Sequence, residues 1–210
     1  MQFRNRTEAG QKLVQLLKRY REKKETLVVG LPRGGVLVAW QVAHELHLPL
    51  DVICPRKIGA PGNPELAIGA ITEEGDPILD FSLIQSMDVS EKYLTERIEM
   101  ERENARHRVQ EYRGERPPLQ LRGQIVILID DGLATGSTMR AAIASVRARH
   151  AHRVVVAVPV APLDTAEEMK LLADTFICLD TPAPFYAVGQ FYEQFDQVTD
   201  EEVIDLLKRS

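Results

Sequence analysis

The 210-residue sequence predicts an α/β fold, a mostly parallel central sheet with helices on both faces. Three observations carry that expectation. Short β-branched runs alternate with helix-period segments along most of the chain. The runs "TLVVG" and "IVILI" are apolar throughout, as strands covered on both faces are, and each ends in a glycine-rich turn. Apolar residues make up 44% and charged residues 27%, so 210 residues are expected to form one globular domain with a sizeable core. The formal charge of −5 gives no general reason to expect nucleic acid as a partner, and an anionic ligand needs a local device for its capture.

In chain order, Ala9, Leu13, Leu16, Leu17 and Tyr20 share one face of a helix over 7–20, with Asn5 and Glu8 as its capping box. "TLVVGLPRGG" is a strand ending in a turn, "VLVAWQVAHEL" a buried helix and "LDVICP" the next strand. "RKIGAPGNPE" reads as a loop, and "LAIGAI" as a strand. Residues 90–113 form a long charged helix capped by Ser90, with Leu94, Ile98, Ala105, Val109 and Tyr112 as a thin apolar stripe. Beyond "IVILI", the segments "STMRAAIASVRARH", "RVVVAVPVAP", "TAEEMKLLA", "TFICLD" and "VTDEEVIDLLKR" read as helix, strand, helix, strand and helix. Thr165 with Glu168 and Thr199 with Glu202 are the expected capping boxes of the last two helices.

Cys54 and Cys178 sit in apolar strand-like runs and read as buried free thiols. The five histidines are scattered, with no metal-ligand spacing among them. No apolar run approaches the ~20 residues that span a bilayer, and the amino terminus lacks a hydrophobic signal region, so a cytoplasmic protein without a membrane partner is expected.

The chemistry concentrates in "VILIDDGLATGST", residues 126–138. Asp130 and Asp131 close the most hydrophobic strand, at the carboxyl end where ligands of open parallel sheets bind. "TGST" then leads into a helix, whose first N–H groups and dipole suit a phosphate. Carboxylates repel phosphate but accept hydrogen bonds from adjacent sugar hydroxyls. A phosphate on the glycine side and a diol on the acidic side describe a ribose 5-phosphate. Taken alone, the stretch is equally an ordinary strand-to-helix turn.

"VILIDDGLATGSTM" closely resembles the phosphoribosyl-diphosphate signature of type I phosphoribosyltransferases. The resemblance implies that Asp130 and Asp131 hold the ribose 2- and 3-hydroxyls, with Gly132 in the turn between the acids and the phosphate loop. It implies too that Ala134, Thr135, Gly136, Ser137 and Thr138 wrap the 5-phosphate. "GLPRGG" is similar to the family's pyrophosphate loop, placing Pro32, Arg33, Gly34 and Gly35 at the diphosphate. "PRKIGAPGNPELAIGA" resembles the segment entering the flexible catalytic loop, with Arg56 and Lys57 toward the diphosphate, Glu65 in or beside the loop and residues 58–66 as a lid. Arg33, Lys57 and Asp131 are the implied catalytic residues. Alone, Gly34–Gly35 is a turn and the Arg–Lys pair a solvated strand end.

What the family implies is Mg²⁺-dependent transfer of the 5-phosphoribosyl group from phosphoribosyl diphosphate to a nitrogen acceptor, with the metal held mainly through the ligand near Asp130 and Asp131. The acceptor is open. Residues 74–121 form a long insertion, either a cap or a dimerisation arm, and 181–210 can contribute to an acceptor site. Phe185 and Tyr186 either stack on a base or pack against the 90–113 helix. A second function class is a sensor that keeps the pocket without catalysis. The intact acids, Arg33 and the lid-like segment favour the enzyme.

Overall fold

In the computed structural model, which describes residues 1–118 and 120–210 and the backbone alone of Glu65, the strands divide into two sheets. The chain runs α1 (Arg6–Leu17), β1 (Thr26–Gly30), α2 (Gly34–Leu46), β2 (Leu50–Val52), β3 (Arg56–Ala60), β4 (Asn63–Ile71), β5 (Ile78–Leu79), α3 (Phe81–Ser86) and α4 (Glu91–Arg113). It continues through β6 (Ile125–Ile129), α5 (Ser137–Ala148), β7 (Arg153–Val160), α6 (Leu163–Leu172), β8 (Thr175–Asp180) and α7 (Asp200–Lys208). The main sheet has the order β2-β1-β6-β7-β8 and every pairing is parallel.

Alternate residues of these strands feed two cores, because successive side chains leave opposite faces of a sheet. Val28, Ile127, Ile129, Val155 and Ala157 pack under α1, α2, α4 and α7. Leu27, Val29, Val126, Leu128, Val154 and Val156 pack under α5 and α6. Burial on both faces explains the unbroken apolar runs of β1, β6 and β7. From β1 the chain moves outward to β2, and from β6 it moves the other way to β7 and β8. The order therefore reverses between β1 and β6, whose last paired residues are Gly30 and Ile129. That reversal opens a crevice beyond the carboxyl ends of the two strands.

"RKIGAPGNPE" is not a loop. It forms β3 and the start of β4, an antiparallel hairpin turning at Pro61–Gly62, with β5 as a third strand. Gly62 takes φ +73°, which glycine adopts without a steric cost. The register breaks between Ile58 and Ala60, so Pro64 lies in a bulge where its missing N–H costs no ladder bond. Ile58, Ala60, Ile68 and Ile71 of the hairpin form a core with Leu83 and Ile84 of α3 and Tyr93, Leu94 and Ile98 of α4. The Tyr93 hydroxyl also donates to the Gly59 carbonyl at 2.9 Å. The inserted segment thus supports the hairpin with its first half, while Val109 and Tyr112 join the main core.

Ser90 caps α4 and Thr199–Glu202 forms a full capping box on α7. Two other caps differ from the sequence expectation. Asn5 accepts from the Glu8 amide, but the Glu8 carboxylate reaches back to the Arg4 amide instead. Helix α6 starts at Leu163, before Thr165, because Thr165 donates to the Ala134 carbonyl at 2.9 Å and Glu168 binds Arg140. Cys54 is buried and Cys178 half-buried, both as free thiols, and burial pushes both upward, Cys178 to about 11. No helix among the described residues is long and apolar enough to cross a membrane.

Candidate functional site

The crevice between β1 and β6 brings "PRGG" and "DDGLATGST" together. Gly30 is followed by a cis Pro32–Arg33 peptide, and α2 begins at Gly34 with Arg33 as N-cap. The backbone of Gly34 and Gly35 lies directly on the two acids. A methyl group at Gly35 would sit 2.8 Å from the Asp130 carboxylate, and one at Gly34 would fall inside the Asp131 carboxylate. Glycine is thus required here by close approach. Gly34→Ala is expected to displace Asp131 or α2 and to cost about 1–3 kcal/mol, as overpacked sites do. Thermal unfolding of the variant beside wild type checks this; an unchanged midpoint would contradict the packing.

No side-chain hydrogen bond caps either α2 or α5, so their first-turn amides have no side-chain acceptor, although Val36 of α2 donates to the Arg33 carbonyl at 3.1 Å. The N-cap of α5 is Gly136 at φ +71°, and a Cβ there would meet Met169 and Thr165 at 3.1 Å. Thr165 fixes the turn through the Ala134 carbonyl, while Arg140 binds both Glu168 oxygens at 2.8 Å and ties the first turn of α5 to α6. Ala134 and Thr135 are exposed, Ser137 and Thr138 half-buried, and the Thr135 and Ser137 hydroxyls lie 3.2 Å apart. Gly132 is also tight, since a Cβ would meet Val160 and Val188. A cleft of about 510 Å³ between the hairpin sheet and α5–α6 reaches Ser137 and Arg140.

The two acids differ. Asp131 accepts a 2.7 Å charge-assisted bond from Arg6 of α1, and its carbonyl accepts from the Tyr192 hydroxyl at 2.6 Å. Arg6 is itself held by the Asp196 carbonyl at 2.9 Å and by the Phe195 ring, 3.9 Å away. Asp130 accepts from the Asp131 amide but has no cationic side chain bonded to it among the described residues. Burial, then the neighbouring Asp131 charge, pushes the Asp130 carboxyl well above the usual carboxylate range. Burial raises Asp131 as well, against the opposing pull of Arg6. With both acids ionised the pair would carry more negative charge than Arg6 offsets, an arrangement suited to hydroxyl donors or to a cation arriving with a ligand.

The remaining candidates lie apart from this pair. Arg33 extends toward Asp200 at the start of α7, 3.9 Å away. Arg56 opens β3 and is bonded to Glu101 of α4 at 3.1 Å; Lys57 follows it, exposed on the hairpin. Among the described residues, neither is hydrogen-bonded to the acids or to the "TGST" turn. The Glu65 side chain lies outside the described residues. Phe185 packs on Phe191 with ring centroids 4.9 Å apart, rather than on α4, and Tyr186 is 84% exposed. The carboxyl-terminal segment enters the site instead through Tyr192, Phe195 and Asp196. Neither these nor Arg6 had a sequence signal: Arg6 and Asp131 are 125 positions apart, and only the fold joins them.

Residues 3–192 match the phosphoribosyl transferase domain family. The chain belongs to that family. It is 42% identical to "Putative phosphoribosyl transferase MT0597" of Mycobacterium tuberculosis over 99% of this chain and 47% of the relative, so it spans about half the length of the curated relatives it matches. The crystal structure of TT1426 from Thermus thermophilus superposes with a TM-score of 0.84 at 42% identity, covering 100% of this chain and 99% of that one. The purine phosphoribosyltransferase of Pyrococcus horikoshii shares the fold at a TM-score of 0.50 and 16% identity, covering 92% and 93%. The chain has the parallel central sheet flanked by helices that the sequence predicts, and it shares this fold with both structures.

Proposed function

We propose that the domain transfers the 5-phosphoribosyl group of phosphoribosyl diphosphate to a nitrogen acceptor, a nucleobase in the first instance, with release of diphosphate. One observation carries this reading: two helix N-termini without side-chain caps, those of α2 and α5, flank two adjacent carboxylates at the sheet's switch point. Each N-terminus suits an anion and the carboxylates suit a diol. Phosphoribosyl diphosphate has its two hydroxyls between two anionic ends.

In this assignment the α5 turn, Ala134 to Thr138, takes the 5-phosphate, Asp130 and Asp131 take the diol, and Pro32 to Gly35 take the diphosphate. The bond from the anomeric carbon to diphosphate breaks, its electron pair leaves with diphosphate, and the acceptor nitrogen forms the new bond and loses its proton. No residue is assigned as the base. The hairpin tip, within residues 58–66, is suited to exclude water from the activated sugar. No cluster of three or more His, Cys, Asp or Glu side chains able to hold a metal occurs among the described residues, and Asp131 already faces Arg6. The acids therefore fit an ion that arrives on the ligand, with Asp130 beside it. Mg²⁺ bound in this way would neutralise the charge of the departing diphosphate.

The test is release of diphosphate from phosphoribosyl diphosphate and Mg²⁺, screened across purine and pyrimidine bases. Release that depends on one base supports the reading. Binding of phosphoribosyl diphosphate without release for any base would contradict the transferase assignment and mark the domain as a sensor.

A further inference from the structure

Helix α4 carries a row of polar side chains on one face, Arg97, Glu101, Asn104, Arg108 and Tyr112, spaced so that each lies about one turn from the next. The row runs beside the two arginines assigned to the diphosphate. At one level, buried Glu101 accepts from Arg56 at 3.1 Å and pairs with Arg97 at 3.7 Å. Lower down, Arg108 donates to the Tyr112 hydroxyl at 2.9 Å and to Asp200 at 3.1 Å, and Tyr112 also donates to Asp200. Arg33 approaches the same Asp200 oxygen from the pyrophosphate loop.

The charges here do not cancel. Two guanidiniums, Arg33 and Arg108, share the single carboxylate of Asp200. One of its oxygens is already engaged by Tyr112 and Arg108, so the 3.9 Å contact of Arg33 is the weakest of the three. Both guanidiniums keep about a third of their side-chain surface open, whereas Tyr112 is buried in the core. A rigid phenol and a carboxylate thus hold a partly open arginine beside a second one, at the uncapped start of α2. Such a cluster with one surplus positive charge is completed by an anion with several oxygens, which forked arginine donors match.

The geometry points to Arg108 as a further ligand-binding residue, an assignment that rests on the proposed function above: with Arg33 it takes the diphosphate end of phosphoribosyl diphosphate, while Tyr112 and Asp200 position it. The inserted helix then forms one wall of the site, which agrees with a cap over the site rather than a dimerisation arm.

Calorimetric titration of the full chain with inorganic diphosphate, and separately with ribose 5-phosphate, tests this. Arg108→Gln should weaken diphosphate binding by about tenfold or more, the loss of one charge-assisted fork, and leave ribose 5-phosphate binding unchanged. Tyr112→Phe should give a smaller loss in the same direction, and Arg108→Lys should recover part of it. Should Arg108→Gln fail to fold, Arg108→Lys and Tyr112→Phe carry the comparison. Wild type that binds no diphosphate, variants that bind it as wild type does, or equal losses for both ligands would overturn the assignment. Failure of the broader reading looks different: ribose 5-phosphate then fails to bind wild type, whatever stands at 108.

Discussion

Asp130→Asn is expected to make the free protein more heat-stable and at the same time to remove most of its affinity for phosphoribosyl diphosphate. Asp130 is half-buried next to a second carboxylate, and its side chain accepts from the Asp131 amide. Asparagine keeps an oxygen for that amide and presents an NH₂ group to Asp131 in place of a like charge. Replacing this half-buried carboxyl beside Asp131 should contribute about 1 kcal/mol, or about 2–4 °C in a chain of this size. Hydroxyl donors and a cation on the ligand favour the ionised carboxylate, which asparagine cannot supply, so the change should weaken the ligand by about 10- to 100-fold.

The pH dependence follows from the direction of the shift. The unfolded chain ionises Asp130 near the ordinary aspartate value, whereas the folded chain keeps the proton to higher pH. The contribution of this group to stability is therefore complete below the unfolded value and is lost as pH rises through the folded one. The advantage of Asp130→Asn in melting temperature should grow from about pH 5 to pH 8. Calorimetric scans of the two proteins at several pH values check this, and a gap that shrinks as pH rises would contradict it.

Arg6→Met should have the opposite effect on stability, and a larger one. It leaves Asp131 half-buried beside Asp130 with no counter-ion, a loss on the order of 3 kcal/mol, or about 6–12 °C. Phe195 and the Asp196 carbonyl would lose their partner as well. Adding Asp131→Asn should recover much of the loss, because the charge that needed Arg6 is gone; additive losses in the double variant would show that Arg6 acts through packing alone. Ligand binding should fall in Arg6→Met too, since Asp131 takes its orientation from that bond.

Much of the architecture is legible in the sequence because its causes are local. β1, β6 and β7 announce themselves as consecutive β-branched residues, and Ser90, Thr199 and Glu202 mark helix starts through contacts three residues long. The acids and the phosphate turn lie in one short continuous run and can be read as one device. The hairpin is obscured by its glycines and prolines: they suggest a loop, yet they serve a tight turn and a bulge in paired strands. Thr165 and Glu168 match a capping box in sequence, but Ala134 and Arg140 claim them in the fold. Arg6 with Asp131, and Arg108 with Asp200, join residues 125 and 92 positions apart, and nothing in either neighbourhood signals the partner.

The proposed function holds one ligand at both anionic ends, by α2 on one side of the acids and α5 on the other. Phosphorus NMR of phosphoribosyl diphosphate titrated with the protein and Mg²⁺ tests it most directly. Both the 5-phosphate and the diphosphate resonances should broaden together at substoichiometric protein, and Asp130→Asn should abolish the effect at both. Broadening confined to one end, or the same broadening in Asp130→Asn, would contradict the account.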